Sequence, residues 1–104
     1  MIRHCVFIRY RPTISSAEKA SIHADITALM PKIEGMLAVH IGANVSPETG
    51  MDKGFADGFI VDFADAAARD RYLVDEGHQA AGSRIVAAAG GVDGVFVYDL
   101  EIAG

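Results

Sequence analysis

Three strand-like segments of this chain are apolar on both of their alternating faces, and that limits what the chain can fold into more than any other feature. Residues 2–10 read as a strand, closed by Arg11-Pro12 because proline cannot donate to a ladder. Side chains alternate sides along a strand, so His4, Val6 and Ile8 share one face while Cys5 and Phe7 share the other. In a strand through Phe59–Phe63, Phe59, Val61 and Phe63 oppose Gly58 and Ile60. In a last strand from Val95 through Ile102, Phe96, Tyr98 and Leu100 oppose Val95 and Val97. A sheet with one face in water should alternate apolar with polar. These strands do not.

The intervening segments supply helices. Ser15 followed by Glu18 matches a capping box, and Ile22, Ile26, Leu29, Met30 and Ile33 then recur at helical spacing, which predicts an amphipathic helix ending near Pro31. Gly35 hands over to a second strand at about Met36–Ala43, followed by a polar loop from Asn44 to Lys53. Asp65 caps a short helix to about Leu73. The turn Asp75-Glu76-Gly77 breaks it, a second helical stretch runs from His78 to Ala89, and Gly90-Gly91 ends that stretch. The order is β-α-β-β-α-β, an α+β chain of the ferredoxin-like kind. Two right-handed crossovers put both helices on one face of a four-stranded antiparallel sheet. The other face needs a lid that the chain lacks. A second copy packed sheet to sheet is the simplest lid, which gives a homodimeric α/β barrel through the helix-free face.

Composition supports that reading and excludes several classes. A single domain over 1–104 fits the length, and an apolar fraction of 51% is high for so small a globule. The net charge of −5 and the scattered basic residues argue against nucleic acid. No apolar run reaches the roughly 18 residues of a membrane span, and the charged start does not resemble a secretory signal, so a cytoplasmic location is the expectation. The one cysteine, Cys5, excludes an intrachain disulfide and a thiolate zinc site, and reads as a small buried hydrophobe.

Several local patterns now fit together. Met1-Ile2-Arg3-His4 opens an apolar strand, Asn44-Val45-Ser46-Pro47 follows the second strand, Gly54-Phe55 leads into the third, and Tyr72-Leu73 precedes His78-Gln79. In this order and spacing the chain resembles the stress-responsive α/β-barrel (Dabb) family over essentially its whole length. The resemblance implies a dimeric α+β barrel. It also implies site residues, because a plant cyclase of the family closes a polyketide ring by aldol condensation without a cofactor. By that likeness His78 is the general base, Tyr72 assists it, and His4 lines the pocket. Two positions depart from the cyclase: Asp57 replaces a histidine at the start of the third strand, and Asp75-Glu76 replaces a His-Pro pair.

The chemistry of these residues is consistent with such roles. A histidine titrates near neutral pH, and the field at a helix start favours its neutral form, which suits His78 as a base. Tyr72 can donate its hydroxyl to a substrate carbonyl, or else simply find one buried partner. Asp57 can hydrogen-bond His78 and fix its tautomer, or stand solvated at the strand entrance. Val6, Ile8, Ile26 and Phe59 complete the expected apolar lining for a small apolar or aromatic ligand. His23 and His40 lie outside any motif and are expected on the surface. His4, Asp57 and His78 match no metal-ligand spacing, and Gly90-Gly91 with Gly94 form no phosphate loop, so neither metal nor cofactor is expected. The functional expectation is a cofactor-independent cyclase or isomerase. The alternatives are a non-catalytic binding or stress-associated dimer and a cofactor-free monooxygenase of similar fold.

Overall fold

The structure, a computed structural model, describes residues 1–103. Strands β1 (Ile2–Ile8), β2 (Met36–Ala43), β3 (Asp57–Phe63) and β4 (Val95–Glu101) form one antiparallel sheet in the order β2-β3-β1-β4. Helices α1 (Ser16–Thr27), α2 (Ala66–Val74) and α3 (Glu76–Ala89) connect them. The topology is ferredoxin-like, with the second crossover split into two helices.

The caps stand where the sequence places them. Ser15 Oγ accepts from the Glu18 amide at 3.1 Å and Asp65 Oδ1 from the Ala68 amide at 2.9 Å. Boundaries differ for local reasons. β1 stops at Ile8: its neighbour Arg9 still donates its amide to the Gly94 carbonyl at 2.8 Å, but Gly94 already belongs to the turn Val92–Gly94 before β4. α1 ends at Thr27, and turns carry the chain past Pro31. The break before α3 is Asp75 alone, which ends α2 and caps α3 by accepting from the His78 amide at 3.1 Å. Helix α3 ends as expected at Gly90, in the left-handed region at φ 78°.

Face parity follows the sequence in β1, β3 and β4. His4 is paired with Val61 and Asp99, and Val6 with Phe59 and Val97. Ile8, Val61 and Phe63 on the helix side are sealed, each at 0% exposure, a burial that contributes roughly 1.5–3 kcal/mol per large side chain. In β2 a bulge at Leu37 resets the alternation, so that Val39 faces the helices and His40 the other side. Gly35, at φ 86°, lets α2 approach β2: a Cβ there would sit 2.7 Å from Ala68 Cβ. Ala68 and Tyr72 are one helical turn apart and both fully buried, so this contact also sets the depth of Tyr72.

The helices do not cover their whole side of the sheet. Val97 on edge strand β4 remains 53% exposed on that side. On the opposite face Phe96, Tyr98 and Leu100 are exposed, while Phe7 and Ile60 are half-buried beside them. Phe55 from the β2–β3 loop covers one end of that face, with its ring 5.8 Å from Phe96. Cys5 is buried as expected, and burial raises its thiol pKa. Among the described residues, no helix is long and apolar enough to cross a membrane.

Candidate active site

A cavity of about 640 Å³ lies between the helices and the sheet and reaches the open side of β4. Val6 and His4 of β1, Phe59 of β3, Ile26 of α1 and Val95 and Val97 of β4 line it, together with Tyr72, His78 and Gly82. Its size falls within the range of small-molecule sites, and apolar side chains dominate its wall.

Tyr72 and His78 both stand at this wall. Their ring centroids are 4.1 Å apart, and the His4 ring stands edge-on to Tyr72 at 5.6 Å. The Tyr72 hydroxyl and His78 Nδ1 are both buried without a hydrogen-bond partner among the described residues. Burial pushes the Tyr72 hydroxyl well above its ordinary pKa, so it stays protonated and acts as a donor. Burial likewise lowers the His78 pKa. The Leu73 carbonyl, which approaches the ring, and the charge of Asp75 partly oppose this shift. Desolvation thus does most of what a helix field alone was expected to do.

Three expectations need correction. Asp57 does not reach His78. It sits at the far end of β3 opposite Ile8, four residues and about 13 Å along the strand from the level of His4. Its carboxylate accepts from Lys19 Nζ at 3.1 Å, so it is neither orienter nor freely solvated. Ile8 faces the helices but is sealed in the core one step beyond the cavity wall. His23 is buried at 8% exposure, because it lies three residues before Ile26 and shares the inward stripe of α1. Its Nε2 is 3.0 Å from the Tyr10 hydroxyl, and burial lowers the His23 pKa while pushing Tyr10 up to about 12. His40 is exposed as expected, yet it shares Asp62 with Arg3 on the helix-free face, at 3.0 Å and 2.8 Å respectively.

The residue that does hold a site histidine is Asp99, which the sequence reading passed over. Its Oδ1 lies 2.7 Å from His4 Nδ1, and its Oδ2 accepts from Arg69 Nη1 at 2.8 Å. Strand parity alone carried a signal for it. Asp99 follows Val95 and Val97 on the helix side, where a carboxylate needs a partner.

The similarities of the whole chain agree with this architecture. The family model of the stress responsive A/B barrel domain matches residues 2–102. No curated protein sequence matches. A dimeric ferredoxin-like protein of unknown function from Jannaschia sp. CCS1 is 30% identical, with a TM-score of 0.89 over 97% of this chain and 98% of that one. A Dabb family protein with a ferredoxin-like fold from Mesorhizobium loti is 25% identical, with a TM-score of 0.73 over 99% and 97% of the two chains. The hydroxynitrile lyase of Passiflora edulis shares the fold at 20% identity, with a TM-score of 0.82 over 98% and 93%. With its topology, its two-sided apolar strands and a family match from end to end, the chain belongs to the stress responsive A/B barrel domain family.

Proposed function

We propose that this protein is a homodimeric, cofactor-independent acid–base enzyme acting on a small apolar carbonyl compound, with one pocket per subunit. His78 serves as the base and Tyr72 as the hydrogen-bond donor to the carbonyl oxygen. The observation that carries this reading is the pair of unpartnered polar atoms, Tyr72 Oη and His78 Nδ1, on touching rings at the wall of an apolar cavity. Unpaired buried groups are costly, and they persist where a ligand uses them. A lowered histidine pKa keeps the ring neutral and able to take a proton. The reaction class is aldol-type cyclisation, isomerisation or the related addition and elimination at a carbonyl. That a hydroxynitrile lyase, the one from Passiflora edulis, has this fold supports the reading.

The second copy closes over the helix-free face, where Phe96, Tyr98 and Leu100 stand exposed. That similar ferredoxin-like proteins, among them the one from Jannaschia, are described as dimeric supports a dimer.

The test compares the wild type with His78→Ala and Tyr72→Phe against aromatic and polyketide-like keto acids and aromatic cyanohydrins. His78→Ala should reduce turnover by about 10²–10⁴-fold. Equal turnover in the variants, or none in any of the proteins, removes the acid–base reading. A binding protein remains the alternative, favoured by the same open cavity. It predicts saturable ligand shifts that Gly82→Leu abolishes, because nothing lies within 4 Å of a Cβ at this cavity-lining position.

A further inference from the structure

We infer that His4 presents a basic nitrogen of fixed tautomer to the cavity, with Asp99 setting the tautomer and Arg69 holding Asp99 in place. The geometry begins with the sheet register. His4 on β1 stands directly opposite Asp99 on β4, and both point toward the helices. Their closest atoms, His4 Nδ1 and Asp99 Oδ1, are 2.7 Å apart. An ionised carboxylate can only accept, so Nδ1 carries the hydrogen and Nε2 of the neutral ring keeps its lone pair.

The carboxylate is itself fixed. Arg69 Nη1 donates to Asp99 Oδ2 at 2.8 Å, while Arg69 Nε donates to Asp70 at 3.0 Å. Burial alone would raise the Asp99 pKa. The hydrogen bonds from Arg69 and His4 outweigh it and hold the carboxyl below its ordinary range. Arg69 precedes Tyr72 by three residues on α2, so one short helix delivers both the anchor of Asp99 and the hydroxyl beside His4.

A histidine kept only for packing would satisfy both nitrogens or bury both. The His4 side chain is just 5% exposed, yet among the described residues Nε2 has no hydrogen-bond partner and is not one of the fully enclosed atoms. Its remaining surface meets the cavity that the residue lines. Nε2 is therefore placed to take a proton from an O–H or activated C–H of a bound molecule, whose bonding electron pair stays on that molecule. Asp99 then stabilises the imidazolium, in the manner of the carboxylate in a hydrolase triad. Asp99 and Arg69 are positioning residues, because neither lines the cavity.

Use of His4 in turnover rests on the acid–base reading above, but its tautomer does not. The test is therefore spectroscopic, using long-range ¹H–¹⁵N correlation of the histidine rings in the full-length protein at pH 8, with His4→Gln to assign the resonances. The wild type should show His4 as the Nδ1–H form. Asp99→Asn, whose amide can donate to Nδ1, should move it toward the Nε2–H form while the dispersed backbone spectrum is kept. Arg69→Met should give a mixture, and Arg69→Lys should restore the single form. A wild-type ring that is Nε2–H, averaged or doubly protonated overturns the inference, as does a tautomer indifferent to Asp99→Asn. If Asp99→Asn fails to fold, the contrast between Arg69→Met and Arg69→Lys decides the same point. A fixed Nδ1–H tautomer without turnover on any carbonyl probe would sink the enzyme reading and leave this one standing.

Discussion

Replacing Tyr72 by phenylalanine should make the protein more stable and less useful. The ring is 0% exposed and packs between His4, Phe63 and His78, with centroids 5.6, 5.1 and 4.1 Å away. Phenylalanine keeps every one of those ring contacts. It removes only a hydroxyl that is enclosed without a hydrogen-bond partner. Leaving such a group unpaired costs about 1–3 kcal/mol, so the variant should gain an amount of that order. For a domain near 100 residues, 1 kcal/mol corresponds to about 4–8 °C in Tm, so a rise of at least about 4 °C is expected. Urea unfolding and thermal melts followed by circular dichroism would measure it, at one fixed protomer concentration because a dimer's melting point depends on it. Any turnover found for the wild type should fall in the same variant, the usual opposition of stability and activity at a working site. A loss of 1 kcal/mol or more would mean that the hydroxyl has a partner in the resting protein. The argument from unpartnered groups would then fail.

Other outcomes follow from the same geometry. Leu100→Lys puts a second cation opposite Arg3 on the helix-free face, and sedimentation should show a mass near 11.0 kDa where the wild type shows about twice that; a dimeric variant would refute this choice of interface. Gly58→Ala should cost about 1–3 kcal/mol by overpacking, since its Cβ would meet Phe7 Cδ1 at 2.9 Å and the Val6 carbonyl at 3.1 Å; Gly42→Ala, with nothing within 4 Å, should leave the fold of one subunit unchanged by urea titration. His23 and His78 have pKa values lowered by burial, so the unfolded chain takes up protons first and stability should fall as pH drops below about 6.5. The depressed carboxyls of Asp62 and Asp99 lose their contribution only at lower pH, so a wild-type slope between pH 8 and 5 no steeper than that of His78→Gln would contradict the assignment. Asp75→Ala removes the α3 cap and should cost about 0.5–2 kcal/mol in urea unfolding, with a change in the ring resonances of His78.

The fold was legible because its strongest signals are local and periodic. Caps at Ser15 and Asp65, the stop at Gly90 and the parity of β1, β3 and β4 all depend on residues a few positions apart. Half of the candidate site was legible for another reason: the family resemblance points to His78 and Tyr72, and a short connection leaves them near in space. Asp99 and Arg69 were not, because their partners lie 95 and 30 residues away and depend on strand register and helix placement together. Asp57 failed on distance along a strand. Knowing its face was not enough, since four residues of extension separate it from the level of the site. His23 failed on helix rotation. It belongs to no motif, yet it lies three residues before Ile26 and turns inward with the buried stripe.

The single residue between α2 and α3 explains why a pair of rings six positions apart can work together. In one continuous helix, Tyr72 and His78 would be turned about 120° from each other and stand about 9 Å apart along the axis. Here their centroids are 4.1 Å apart. Asp75 leaves the helical region at ψ 135°, so α3 sets out in a new direction and its first turn brings His78 back over the end of α2. Gly77 lets the first turn of α3 lie close to the segment after α1, because a Cβ there would come within 2.8 Å of Leu29 Cδ2. Val97 of β4 stays exposed at the wall of the same cavity. Two uninterrupted crossover helices would cover the sheet more completely and bury more apolar surface. The interrupted one has a wall where a tyrosine and two histidines converge, one of the histidines within 2.7 Å of the Asp99 carboxylate.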